Sequence, residues 1–142
     1  MKRYLVFGAA LAATAAIATP LTALGGRGQQ SVSVKLREYA ILSPSLKPAV
    51  FGKESSLKPG QTALTITNTG KFPHNFTIIR TSPGGTKFKT ADIAPGKSAT
   101  VTVNLKPGSY IAICTVFNGF HAAAGMVKSF SVGAIDDKGK WG

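Results

Sequence analysis

The residues able to hold a soft metal ion are few in this chain, and most lie close together. There are two histidines, His74 and His121, one cysteine, Cys114, and two methionines, the initiator Met1 and Met126. Cys114, His121 and Met126 fall within thirteen residues of one another, and His74 lies upstream in Phe72-Pro73-His74-Asn75-Phe76. Two imidazoles, a thiolate and a thioether form a donor set that selects copper, because thiolate and thioether suit Cu(I) while imidazole serves either oxidation state. Zinc rarely recruits a methionine. Taken singly, each residue has a plainer role: a lone cysteine packs as a small hydrophobe, a methionine fills gaps in a core, and a histidine more often sits satisfied in a loop. Their coincidence points to a metal, and an unpaired thiol in an exported protein is a liability that ligation removes.

These donors must be positioned by short strands. From Ser31 onward the apolar residues alternate: Val32, Val34, Leu36; Leu64, Ile66; Val101, Val103, Leu105; Tyr110, Ala112, Cys114; Phe130, Val132. A period of two marks half-buried strands, and no amphipathic helix stands out. Turn signals separate them: Pro59-Gly60, Asn68-Thr69-Gly70, Pro83-Gly84-Gly85, Pro95-Gly96 and Pro107-Gly108. Many short strands with frequent turns build an all-β sandwich or barrel. On this reading Cys114 ends one strand, Met126 begins the next, and His74 lies on another. The segments starting at Pro59 and Pro95 echo one another, but their apolar residues fall at opposite offsets, which argues for shared strand-entry chemistry and against a repeat.

The chain has 142 residues, enough for one domain. Lys2 and Arg3 precede an apolar, alanine-rich run, and small residues at Ala16-Ile17-Ala18 and Thr22-Ala23 offer cleavage sites. Residues 1–24 therefore read as a signal peptide, the rival being an uncleaved anchor. Residues 25–30 are expected to be a flexible linker, 31–135 the copper-binding domain and 136–142 a solvated tail. The single cysteine excludes a disulfide framework. Lys and Arg total 17 against 5 acidic residues, and dropping Lys2 and Arg3 leaves 15 against 5, an excess of +10. That field steers acidic partners. Export and the lack of an aromatic-basic motif argue against nucleic acid.

The stretch Gly108-Ser109-Tyr110-Ile111-Ala112-Ile113-Cys114, followed by His121-Ala122-Ala123-Ala124-Gly125-Met126 and preceded by Pro73-His74-Asn75, resembles the cupredoxin family of small blue copper proteins. The resemblance spans about Ser31 to Gly133 and implies a Greek-key β-sandwich holding one type 1 copper. It implies His74, Cys114 and His121 as equatorial ligands and Met126 as the long axial one, with Asn75 and Thr115 supporting them. In such proteins the exposed edge of the loop histidine, here His121, is the port for electrons, and Phe117 and Phe120 would form an apolar rim or fill the top of the core. Six residues separate Cys114 from His121, more than the two to four usual in the compact carriers of the family.

A metal occupied by four protein ligands leaves no open position for substrate, so the expectation is a carrier of single electrons, not an enzyme. Cys114 is flanked by Ile113 and Thr115, not by the histidine that wires multicopper oxidases to a second site, and a binuclear copper centre would need a second cysteine. The alternative function is copper storage or delivery. The expected setting is extracytoplasmic or periplasmic, membrane-tethered if the N-terminal segment is retained. The expected partners are redox proteins with acidic docking surfaces, among them a membrane-bound oxidase or reductase, met by a monomer.

Overall fold

The computed structural model describes residues 28–85 and 87–142. The expected signal segment 1–24 and residues 25–27 of the expected linker lie outside the described residues. Among the described residues eight strands form two four-stranded sheets: β1 (Gln30–Arg37), β2 (Ala40–Leu42), β3 (Gly60–Asn68) and β6 (Ser98–Leu105) in one, and β4 (Thr77–Ser82), β5 (Lys87–Lys89), β7 (Gly108–Ile113) and β8 (Val127–Val132) in the other. The strand orders are β2-β1-β3-β6 and β5-β4-β7-β8. Among the described strands only the β1 and β3 pair runs parallel; its register sets Val32 beside Leu64, Val34 beside Ile66 and Leu36 beside Asn68. The all-β sandwich expected from the alternation is the observed architecture.

The alternation works as the sequence pattern requires. Val32, Val34 and Leu36 are buried along β1 while their neighbours face solvent, and Thr62, Leu64, Ile66 and Asn68 do the same in β3. Across the sandwich they meet Phe76, Ile78, Tyr110, Ala112, Phe130 and Val132 in one core. Tyr110 and Phe130 stack with ring centroids 5.1 Å apart. Each such side chain contributes about 1.5–3 kcal/mol on burial, so truncating Leu64 to alanine would remove about 2–5 kcal/mol. Val101 and Val103 are only half-buried, because β6 lies at a sheet edge.

Three strands escaped the sequence reading. β2 and β5 have three residues each, too few to show a period, and Ile78 and Ile79 of β4 are consecutive and do not alternate. The outer edge of β8 is covered by the segment after β2. Ser131 N–H donates to the Lys47 carbonyl (3.0 Å), Ala49 N–H to Ser131 Oγ (2.9 Å), and Leu57 bridges to Val132. Covering this edge removes a template for unwanted strand pairing.

Gln30, placed in the linker, already pairs with Thr62 at the start of β1. The tail 136–142 is exposed along Asp136–Lys140 but turns back, so that Gly142 and Ala134 exchange hydrogen bonds of 3.1 Å and Trp141 bridges to Ile135. Among the described residues no helix is long and apolar enough to cross a membrane.

Candidate metal centre

At one end of the sandwich, four segments meet: the β1–β2 turn, the loop after β3, the loop after β7 and the start of β8. Asn68, buried at the end of β3, shapes the second of these. Its amide donates to the carbonyls of Phe72 and Ile93, both at 2.8 Å, and its Oδ1 accepts the Gly70 N–H at 2.9 Å. This turn delivers His74, which bridges to Ile93 just ahead of β4 and does not lie within a strand as expected. Cys114 follows β7 directly. Its N–H donates to the Met126 carbonyl (3.3 Å), and Met126 N–H donates to that of His121 (2.9 Å), which fixes the start of β8 against the end of β7.

The structure brings His74, Cys114 and His121 together. His74 Nδ1 and His121 Nδ1 are 3.0 Å apart, and Cys114 Sγ is 3.7 Å from the first and 3.6 Å from the second. All three side chains are buried, as is that of Met126. Donors spaced in this way suit one ion bound at about 2.0–2.3 Å from each, the range of metal bonds to imidazole and thiolate. Soft sulfur with paired imidazole fits copper. Burial pushes the Cys114 thiol pKa up, opposed by the N–H groups of Val116 and Asn75, and burial likewise pushes His74 down, opposed by Glu38. A cation bound among the donors would reverse the first shift by favouring the thiolate and reinforce the second by favouring the neutral ring.

Asn75 spans the two ligand loops. Its Oδ1 accepts Thr115 N–H (2.8 Å) and Thr115 Oγ1–H (3.1 Å), and its amide donates to Asp92 Oδ1 (2.9 Å). Residues that the sequence reading did not single out complete the surroundings. Glu38, in the two-residue turn between β1 and β2, places Oε1 3.2 Å from His74 Nε2. The same oxygen accepts the N–H groups of Lys71 (2.6 Å) and Phe72 (2.8 Å). Burial raises the Glu38 pKa, but the N–H groups of Phe72, of Glu38 itself and of Lys71, with the His74 ring, outweigh it and bring it to about 2. Its neighbour Tyr39 packs edge-on to the His121 ring at 5.3 Å.

The loop from Cys114 to His121 departs from expectation. It passes through positive φ at Phe117 (51°), Asn118 (55°) and Gly119 (84°) and then forms the single turn α1 (Phe120–Ala123). Phe117 lies 5.2 Å and Phe120 6.2 Å from His121, ring centre to ring centre, and both phenylalanines are more than half exposed. They form a rim and do not fill the core. The His121 edge expected at the surface is only 2 % exposed, because these rings and Tyr39 lie over it.

No family model matches the chain, and no curated protein matches its sequence. Solved structures do match in shape. Auracyanin A, a blue copper protein from Chloroflexus aurantiacus, superposes with a TM-score of 0.54 at 16% identity, over 74% of this chain and 99% of that one. Reduced auracyanin from Roseiflexus castenholzii gives 0.52 at 20% identity, over 73% and 95%. Rusticyanin from Thiobacillus ferrooxidans gives 0.50 at 21%, over 73% and 77%. The two-sheet sandwich of this chain, with its histidine–cysteine–histidine cluster at one end, therefore has the cupredoxin fold.

Proposed function

We propose that the protein is a type 1 copper electron carrier, with His74, Cys114 and His121 as close ligands and Met126 as the weak axial one. The observation that carries this reading is the buried triangle of two imidazole nitrogens and one sulfur with edges of 3.0–3.7 Å. Bound there, copper supplies one-electron exchange between Cu(II) and Cu(I). The chain's own residues hold the donors so that little has to move when the charge changes: Asn75 locks the Cys114 loop to the His74 loop, and main-chain bonds from Cys114 N–H to Met126 and from Met126 N–H to His121 lock Met126 to both. Four protein ligands leave no place for a substrate, which favours a carrier over an enzyme. The fold shared with auracyanin A, itself a blue copper protein, supports the same reading.

The aromatic rim of Phe117, Phe120 and Tyr39 is the surface through which electrons enter and leave in this reading. Encounters over a small apolar patch are weak and fast, as redox traffic requires. The positive net charge draws acidic redox partners, and the signal-like N-terminal segment puts the domain on the outer side of the cytoplasmic membrane, acting as a monomer.

Visible and electron-paramagnetic-resonance spectra of the purified protein with added Cu(II) test the proposal. An intense blue band with narrow hyperfine splitting, bleached by reductant and restored by oxidant, is the expected result. A colourless protein that binds only Cu(I) would replace it with storage or delivery. Met126→Leu is expected to keep the colour and raise the reduction potential.

A further inference from the structure

We infer that Glu38 is the positioning residue for His74, and that its carboxylate sets the tautomer, the copper affinity and part of the reduction potential from outside the ligand set. An ionised carboxylate only accepts hydrogen bonds. With Glu38 Oε1 3.2 Å from His74 Nε2, the ring proton must therefore sit on Nε2. A neutral imidazole carries one N–H, so Nδ1 is left with its lone pair facing Cys114 Sγ and His121 Nδ1. The ring is thus prepared for a metal before one arrives.

The surroundings of Glu38 are built for this contact. The N–H groups of Lys71 and Phe72 converge on Oε1, so this oxygen is an acceptor held in one place. Gly70 leaves it room: a Cβ there would lie 2.5 Å from Oε1 and 2.8 Å from both Cδ and Oε2 of Glu38, so any larger residue would push the carboxylate away. Asn68 in turn fixes the Gly70 N–H and the Phe72 carbonyl. His121 has no such partner, since among the described residues none bonds to its Nε2. A carboxylate accepting the outer N–H of a ligating imidazole makes the ring a stronger donor and favours the more highly charged ion, here Cu(II) over Cu(I).

The tautomer part of this inference stands without copper, whereas the affinity and potential parts rest on the copper reading. Long-range nitrogen-15 spectra of the metal-free protein come first. His74 is expected as the Nε2–H form in the parent and in Glu38→Gln, whose side-chain carbonyl can still accept the proton, and as a mixture in Glu38→Ala. Finding His74 as Nδ1–H in the parent would overturn the inference whether or not copper binds. Titration with copper(II) sulfate and voltammetry follow. Glu38→Ala is expected to bind Cu(II) about 10–100-fold more weakly. Glu38→Gln, which retains the loop geometry, is expected to shift the potential upward. If its potential and Cu(II) affinity both equal those of the parent, Glu38 is only a structural clasp. A parent that shows no type 1 spectrum while His74 remains Nε2–H would defeat the copper reading and the affinity and potential parts, and leave the tautomer assignment standing.

Discussion

His74 is held by directed polar bonds, whereas His121 is held by rings. On the His74 side, Glu38 takes the outer nitrogen, and Asn75 stitches the adjoining backbone to Thr115 with bonds of 2.8 and 3.1 Å. On the His121 side, Tyr39, Phe117 and Phe120 lie over the ring at 5.2–6.2 Å, with no protein hydrogen bond to its outer nitrogen among the described residues. The consecutive residues Glu38 and Tyr39 serve one side each, from a single two-residue turn. Hydrogen bonds fix angle and proton position; apolar packing excludes water but tolerates small rotations. One half of the cluster is therefore specified, and the other is shielded.

Substitutions can break this contrast or sharpen it. Cys114→Ser removes the sulfur shared by both halves and is expected to abolish the blue band altogether, as read in the visible spectrum; retained colour would show the ligand assignment to be wrong. On the polar side, Asn75→Ala leaves the Thr115 N–H and Asp92 without their partner. Urea unfolding is expected to show a loss of about 1 kcal/mol, the cost of leaving the half-buried Thr115 N–H without its acceptor while the exposed Asp92 turns to water. Tyr110→Phe supplies a baseline at the far end of β7, where the phenol donates to the Lys106 carbonyl (2.7 Å) and accepts its N–H (3.1 Å). That change is expected to cost about 1 kcal/mol while leaving the copper spectrum untouched.

Tyr110 also carries a pH signature. Burial raises its pKa above the ordinary value of 10.0, against the opposing influence of Lys106 and Arg80. A raised value in the folded state means that its contribution is complete below pH 10.0 and is lost as pH rises through the folded value. Unfolding measured across that window should show the loss in the parent and a shallower slope in Tyr110→Phe. The smallest effect on stability belongs to the aromatic side. Phe117→Ala with Phe120→Ala is expected to change stability by no more than about 0.5 kcal/mol, because both rings are exposed, while quickening electron exchange with small hydrophilic reagents in stopped flow. A large stability loss there would mean that the rim is core, and the contrast between the two halves would fail.

The donors and the sandwich were legible in the sequence for different reasons. A rare set of soft donors announces itself by residue type, and Val32, Val34, Leu36, Leu64 and Ile66 announce a strand by period. Glu38 carried no signal, since it lies 36 residues from His74 and belongs to no motif. Asn68 read only as a turn residue, although it organises the ligand loop. His121 read as an exposed edge, because nothing local shows that Phe117, Phe120 and Tyr39 would close over it.

The sequence by itself determined which atoms can bind the metal and which residues face inward, because donor chemistry and strand periodicity are properties of the residues and their near neighbours. Tertiary structure alone decided which donors meet, which nitrogen of His74 keeps its proton and how far His121 is shielded. Those outcomes depend on β1, the loop after β3 and the loop after β7 arriving at one end of the sandwich together, and contacts between residues far apart in the chain leave no periodic trace in it.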